Sequence, residues 1–157
     1  MTDPRARYGE PDVTIAGLSI WALSWQFPES GDYWDGNWIN ILALAEAPGA
    51  HVSVQGPWLR NDEVVRLRDQ LLTVNRDLKG EAELACMEPA LSAKLTCKSL
   101  GRVEVVVEIT PDHLSQAHRF VFELDQTYLG PIILACNRLL ARFPLRGHIG
   151  ASTETDP

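Results

Sequence analysis

The residues with the strongest chemical character lie in one short segment, residues 29–38, with the sequence ESGDYWDGNW. This segment combines carboxylates with large aromatic rings. Tyr and Trp side chains supply much of the binding energy in protein interfaces, and neighbouring carboxylates attract a basic partner. The chemistry suits protein recognition, and the predicted partner-binding residues are Glu29, Asp32, Tyr33, Trp34 and Asp35.

The same segment also has a structural interpretation. Trp38 opens an apolar run that is typical of a buried strand, and Asp35-Gly36-Asn37 has the composition of the turn that would precede it. In that interpretation the aromatic rings belong to the core. A small-molecule pocket is a third interpretation, because aromatic rings with a few polar groups also line ligand sites.

Residues that could perform catalysis do not form a recognisable set. The sequence has no nucleophile elbow, phosphate-binding loop, dinucleotide fingerprint or zinc-protease motif. The four histidines, His51, His113, His118 and His148, share no ligand spacing. A zinc site from Asp112, His113 and His118 would need three converging ligands, which their spacing does not establish. We therefore predict no catalytic residue, no metal, no cofactor and no enzymatic activity.

The distribution of charge points to the same part of the chain. The 157 residues include 21 acidic and 14 basic side chains, for a net charge of −7. The stretch between Arg7 and Arg60 has no Lys or Arg, and it holds all five tryptophans. A negative chain without a basic cluster is a poor ligand for nucleic acid. We expect neutral or basic partners instead.

Two further absences concern location. The longest apolar run is far shorter than the roughly 20 residues that span a membrane. The polar residues 1–10 lack the apolar core of a signal peptide. We expect a cytoplasmic protein that does not contact a membrane. In that compartment, Cys86, Cys97 and Cys136 are expected to be buried, reduced thiols.

Apolar periodicity predicts a single α+β domain over residues 12–147, between a flexible N-terminus at 1–11 and a flexible tail at 148–157. Strands are predicted within 13–27, 38–46 and 51–58, then near 81–87, 91–98, 102–110 and 118–125, with helices over 62–78 and 127–143. Asn61 or Asp62 is expected to cap the first helix. These elements predict one antiparallel sheet of about seven strands, in the order β-β-β-α-β-β-β-β-α, with two amphipathic helices packed on one face.

The last four predicted strands show a clear alternation. Within 102–110, the apolar residues Val103, Val105 and Val107 share one face, and Glu104 and Glu108 share the other. This pattern is typical of an antiparallel sheet with one buried and one solvated face. The solvated face is a second place where a partner could bind.

Three motifs resemble those of a known family. They are WDGNWI at residues 34–39, DQTYLGP at 125–131 and FPLRG at 143–147. Their order and spacing resemble small bacterial proteins of unknown function that are related to the WapI-type immunity proteins, over about residues 13–147. The resemblance implies a protein that neutralises a contact-delivered toxin by binding it, and several such toxins are nucleases. It implies no catalytic residue.

Three functional hypotheses follow. The first is a non-enzymatic immunity protein that binds a basic toxin domain through the 29–37 segment. The alternative is a small-ligand-binding or enzymatic domain with a pocket between sheet and helices, suggested by His118 and Asn137 beside apolar stripes. The third is a subunit of an oligomer that uses a sheet edge or the solvated sheet face.

Overall fold

The computed structural model describes residues 2–149, which form eight strands and three α-helices. In chain order these are α1 (Pro4–Tyr8), β1 (Val13–Ile15), β2 (Leu18–Trp25), β3 (Trp38–Ala47), β4 (Ala50–Arg60), α2 (Asn61–Asp77), β5 (Glu81–Ala85), β6 (Leu91–Cys97), β7 (Arg102–Ile109), β8 (Arg119–Asp125) and α3 (Leu129–Arg142). Short 3₁₀ turns at Ser99–Gly101 and Gln126–Tyr128 precede β7 and α3.

The strands form two sheets of four strands each, ordered β1-β2-β3-β4 and β5-β6-β7-β8. The α+β class and the antiparallel pairing are confirmed, but the prediction of one sheet of about seven strands is wrong. Two local features account for the difference. A turn at Ala16-Gly17 divides the 13–27 segment into the hairpin β1–β2. The four strands after α2 pair only among themselves in the described part of the chain, so that β5 begins a second sheet.

One hydrophobic core joins both sheets to α2 and α3. Ile15, Ile20 and Ile41 supply it from the first sheet, and Val103 and Val105 supply it from the second. The helices add an apolar stripe each, which includes Leu67, Leu71, Leu129 and Cys136. Each large side chain buried in this way contributes roughly 1.5–3 kcal/mol before the entropic cost of ordering it. Both helices therefore pack into one core that the two sheets share.

A smaller apolar cluster lies on the outer face of the first sheet. It consists of Trp21, Leu42 and Leu44, and Tyr8 of α1 packs against it. The Trp21 indole N–H donates to the Gly9 carbonyl oxygen at 2.9 Å. The predicted flexible N-terminus at 1–11 thus contains a helix that covers part of this face. The predicted tail at 148–157 lies outside the described residues beyond residue 149.

The second sheet has the predicted alternation. Its strand bounds agree with the sequence analysis to within about two residues, and its outer face carries the charged side chains. On that face Lys94 forms an ion pair with Glu81 at 3.2 Å. The three cysteines are free thiols, but only Cys136 is buried as predicted, whereas Cys86 and Cys97 are half-buried. Burial raises the pKa of Cys136 to about 11.

Candidate functional site

The loop between β2 and β3, residues 26–37, folds on itself through Asp32. The Asp32 carboxylate accepts hydrogen bonds from the backbone N–H groups of Trp34 at 3.0 Å and Asp35 at 2.9 Å. The Gly36 N–H donates to the Asp32 carbonyl oxygen at 2.7 Å, and a Cβ atom on Gly36 would lie 2.4 Å from that oxygen. Asp32 and Gly36 therefore form a turn that only a residue without a side chain can complete.

Arg60, the last residue of β4, supports this loop from beneath. Its side chain is 1% exposed, and its guanidinium donates to the carbonyl oxygens of Tyr33, at 3.0 Å, and Trp34. Its Nε donates to the Asp62 carboxylate at 3.1 Å. A buried charge is tolerated only when it is paired and hydrogen-bonded. The loop carbonyls and Asp62 meet this requirement.

Three aromatic rings surround the same guanidinium. Its central carbon lies 5.4 Å from the ring centre of Tyr33, 5.5 Å from that of Trp34 and 5.1 Å from that of Trp38. Such distances give favourable cation–π contacts. The Tyr33 and Trp34 rings also meet edge to face at 5.0 Å. Trp34 is therefore held in place although it is 54% exposed.

Tyr33 is further fixed by its hydroxyl group, which donates to the Asp62 carboxylate at 2.8 Å. Burial, and then the hydrogen bond and negative charge of Asp62, raise the pKa of Tyr33. Asp62 thus accepts hydrogen bonds from both Arg60 and Tyr33, and it links the base of the loop to the first turn of α2.

Arg146 holds the other side of the loop. Its Nε donates to the Gly36 carbonyl oxygen at 2.7 Å, and its two terminal nitrogens donate to the carbonyl oxygens of Pro28 at 2.8 Å and Phe27 at 2.9 Å. The guanidinium also lies over the Trp25 ring, 3.9 Å from the ring centre. The segment that follows α3 is therefore packed directly against the loop.

Two buried asparagines join the loop, α2 and the end of α3. The Asn37 amide donates to the carbonyl oxygens of Tyr33, at 2.7 Å, and Arg146, at 2.9 Å. Its own oxygen accepts from the Arg146 N–H at 2.9 Å and from the Asn61 side chain at 3.1 Å. Asn61 also donates to the Phe143 carbonyl oxygen at 3.0 Å. The Asn61 side chain thus ties these segments together. The N-cap of α2 is Arg60, so the prediction that Asn61 or Asp62 caps this helix is wrong.

The exposed residues of the loop and of the segment after α3 include apolar and acidic side chains. Trp34, Phe27 and Leu145 are 54%, 45% and 49% exposed, and Glu29 and Asp35 are exposed beside them in the chain. We call these five residues the loop surface. Of the five predicted partner-binding residues, Glu29, Trp34 and Asp35 belong to it, whereas Asp32 and Tyr33 are half-buried and maintain the loop.

Sequence reasoning did not identify Phe27, Leu145 or Arg60 as parts of this site. Leu145 and Arg146 lie in the FPLRG motif, which the fold brings against the WDGNWI motif. One feature of the sequence could have pointed to Arg60, since it is the first basic residue after the long stretch without Lys or Arg. Its burial could not be inferred, because arginines are rarely fully buried.

The residues that suggested a small-ligand site do not meet at a cavity. A groove of about 670 Å³ lies between the β1–β2 turn, β8 and α3, and neither His118 nor Asn137 lines it. His118 is hydrogen-bonded to Gln116 at 3.0 Å, and Asn137 accepts from Arg68 at 3.4 Å.

Two other features of the described residues bear on function. Within residues 2–149, no three His, Cys, Asp or Glu side chains are grouped so that they could hold a metal ion. In the same part of the chain, no helix is long and apolar enough to cross a membrane.

The resemblance noted in the sequence is confirmed by comparison with protein families. A model of the immunity protein WapI-like family matches residues 12–144. The chain belongs to this family. The match covers both sheets, both core helices, the β2–β3 loop and Arg60. Neither a curated protein nor a solved structure matches the chain. Membership in the WapI-like family indicates an immunity function and a protein partner such as a toxin.

Proposed function

We propose that this WapI-like protein neutralises a toxin by binding it directly, without catalysis, through the loop surface. The partner is a basic toxin domain, for which a nuclease is the most natural type, since nucleases carry positive charge to bind phosphates. The encounter takes place in the cytoplasm. The proposal combines the family, which indicates a protein partner, with the geometry of the loop.

The observation that carries the proposal is an exposed Trp34 on a loop that two arginines hold in place. Exposed aromatic residues on a fixed support are typical interface anchors. Binding is weakened when a loop must become ordered, so a preformed loop retains more of its contact energy. Arg60 and Arg146 thus prepare Trp34 for contact with a partner.

The charge of the loop surface supports a basic partner. Glu29 and Asp35 are exposed carboxylates, and the chain as a whole carries a net charge of −7. The nearby positive charge belongs to Arg146, whose guanidinium is engaged in hydrogen bonds to three carbonyl oxygens of the loop. Acidic surfaces of this kind accelerate association with basic partners and fix their orientation.

The direct test is co-expression with the toxin encoded beside the gene. Wild-type protein should restore growth and bind the purified toxin domain, and Trp34→Ala should lose both effects. Leu134→Ala is the matched control, because Leu134 is similarly exposed but lies on α3. A Trp34→Ala variant that folds, binds and protects as wild type does would refute the proposed site. Absence of any binding to the toxin by the wild-type protein would refute neutralisation by direct binding.

A further inference from the structure

The groove beside β8 is a second surface, remote from the β2–β3 loop along β3. Trp38 begins β3 next to the loop, whereas Ala47, the last residue of β3, lines the groove. Phe122 and Leu124 of β8 form one wall, and Ile132 of α3 forms part of the floor. Its volume of about 670 Å³ lies within the range of protein ligand sites.

The strand along this groove has an unpaired edge. Among the described residues β8 pairs only with β7, which lies on its other side. The Ile109 N–H donates to the His118 carbonyl oxygen, and the β7–β8 register continues this pattern through Phe120, Phe122 and Leu124. The backbone groups of the alternate residues, including Val121 and Glu123, therefore point away from β7. They are available to another strand.

The outer face of the second sheet holds a pair of like charges, with Lys94 and Arg119 elsewhere on the same face. Glu123 lies directly opposite Glu104 of β7, and like charges in this position destabilise a sheet. Neither carboxylate forms an ion pair with another residue in the described part of the chain. A Lys or Arg on a strand added beside β8 would lie next to Glu123 and relieve this repulsion.

We propose that the edge of β8 binds an extended segment of a protein partner in which apolar and basic residues alternate. Because successive side chains of a strand point to opposite faces, the apolar residues would enter the groove and the basic residues would lie beside Glu123 on the outer face. The backbone of the segment would pair with Val121 and Glu123, as in other cases of strand addition. This site is separate from the loop surface and does not depend on it.

A second copy of this chain is a poorer occupant. The chain carries a net charge of −7, so two copies repel each other at long range. Antiparallel pairing of two β8 strands, RFVFELD, would bring Arg119 of one copy opposite Glu123 or Asp125 of the other, so the strand sequence alone does not exclude this dimer. The net charge therefore favours an occupant of the opposite sign.

The test uses the full chain and a synthetic heptapeptide, acetyl-VKVKVKV-amide, titrated while the backbone amide signals are followed by NMR. Signals of β8 and of the groove residues should shift, and those of the β2–β3 loop should not. The matched control is the same peptide with alternate backbone nitrogens methylated, which keeps its charge but blocks strand pairing. It should bind at least about tenfold more weakly, equivalent to about 1.4 kcal/mol.

Glu123→Lys is the protein variant, since it reverses the charge at an exposed edge position. This variant should bind the unmodified peptide about tenfold more weakly than wild type or worse. Added salt should reduce the difference in affinity between the variant and wild type. Equal binding of the methylated and unmodified peptides would overturn the proposal, as would shifts confined to residues outside β8 and the groove, or no shift at all. Concentration-dependent dimerisation through β8 without peptide would assign the edge to a second copy and refute a heterologous partner.

Discussion

Arg60 contacts Trp34 in two ways, through a hydrogen bond to its backbone carbonyl oxygen and through its ring, whose centre lies 5.5 Å from the guanidinium carbon. The first contact fixes the course of the loop, and the second fixes the side chain that the loop exposes. The two contacts come from one buried cation. The shape of the proposed interface therefore depends on a residue that a partner would hardly touch.

Arg60→Lys should destabilise the protein although it keeps the charge. A lysine lacks the planar fork that donates to two carbonyls and a carboxylate at once. The Trp34 carbonyl would lose its donor, and the Tyr33 carbonyl would keep only the hydrogen bond from Asn37. We expect the free energy of unfolding to fall by about 2–3 kcal/mol in urea titrations. Limited proteolysis should then cut within residues 26–37.

Arg76→Lys provides the control for this substitution. Arg76 also pairs with a neighbouring aspartate, but on the exposed surface of α2. It should leave both stability and proteolysis unchanged, because exposed ion pairs contribute little. If Arg60→Lys behaved in the same way, Arg60 would not organise the loop.

Trp34→Ala should separate binding from stability. Trp34 contributes an exposed ring, and its backbone contact with Arg60 survives the substitution. We expect the affinity for the cognate toxin to fall by about 2 kcal/mol or more, with little change in Tm. Calorimetric titration and thermal unfolding measure the two quantities. A large loss of Tm would show that the ring belongs to the fold and would favour the structural interpretation of this segment.

The acidic residues of the loop should divide into two classes. Replacing Glu29 with Gln and Asp35 with Asn removes two exposed charges, so the toxin should associate more slowly, and the difference should shrink at high salt. Asp32→Ala should instead loosen the loop, because it removes the acceptor for two backbone N–H groups. Asp32→Asn retains an acceptor oxygen and should restore most of the loop's protection from proteolysis. Stopped-flow association rates and proteolysis distinguish the two classes.

Local features of this fold could be predicted from the sequence, whereas features that depend on distant contacts could not. The alternation in β5–β8 correctly predicted their faces, since a period of two is a local property. It could not predict the number of sheets, which depends on how α2 directs β5 away from β4. The 29–38 segment was ambiguous for a related reason. Trp34 and Asp35 are exposed, whereas Gly36 and Asn37 are buried. Contacts with Arg60 and Arg146, which are distant in sequence, determine which of these residues are buried.

Glu63 provides the last prediction, because its carboxylate is buried in the first turn of α2. It is 1% exposed and accepts hydrogen bonds from the backbone N–H groups of Arg60, at 2.7 Å, and Met87. Burial is the main cause that raises the pKa of Glu63 above its ordinary value of 4.5. The folded protein therefore holds this proton at a pH where the unfolded chain has released it.

The sign of the pH dependence follows from this difference. Below the ordinary carboxyl pKa both states are protonated, and the stabilisation from the raised pKa is fully present. As the pH rises through the raised pKa of the folded state, that stabilisation is lost. The glutamine side chain of the Glu63→Gln variant does not titrate. It has one acceptor oxygen where the carboxylate has two, so the variant lacks one hydrogen bond at every pH. Urea unfolding at about pH 4 and about pH 7 should therefore show wild type losing stability relative to Glu63→Gln as the pH rises. Glu108→Gln is the control, because it removes one charge at an exposed position. If the stability of wild type relative to Glu63→Gln increased with pH, the raised pKa of Glu63 would be contradicted.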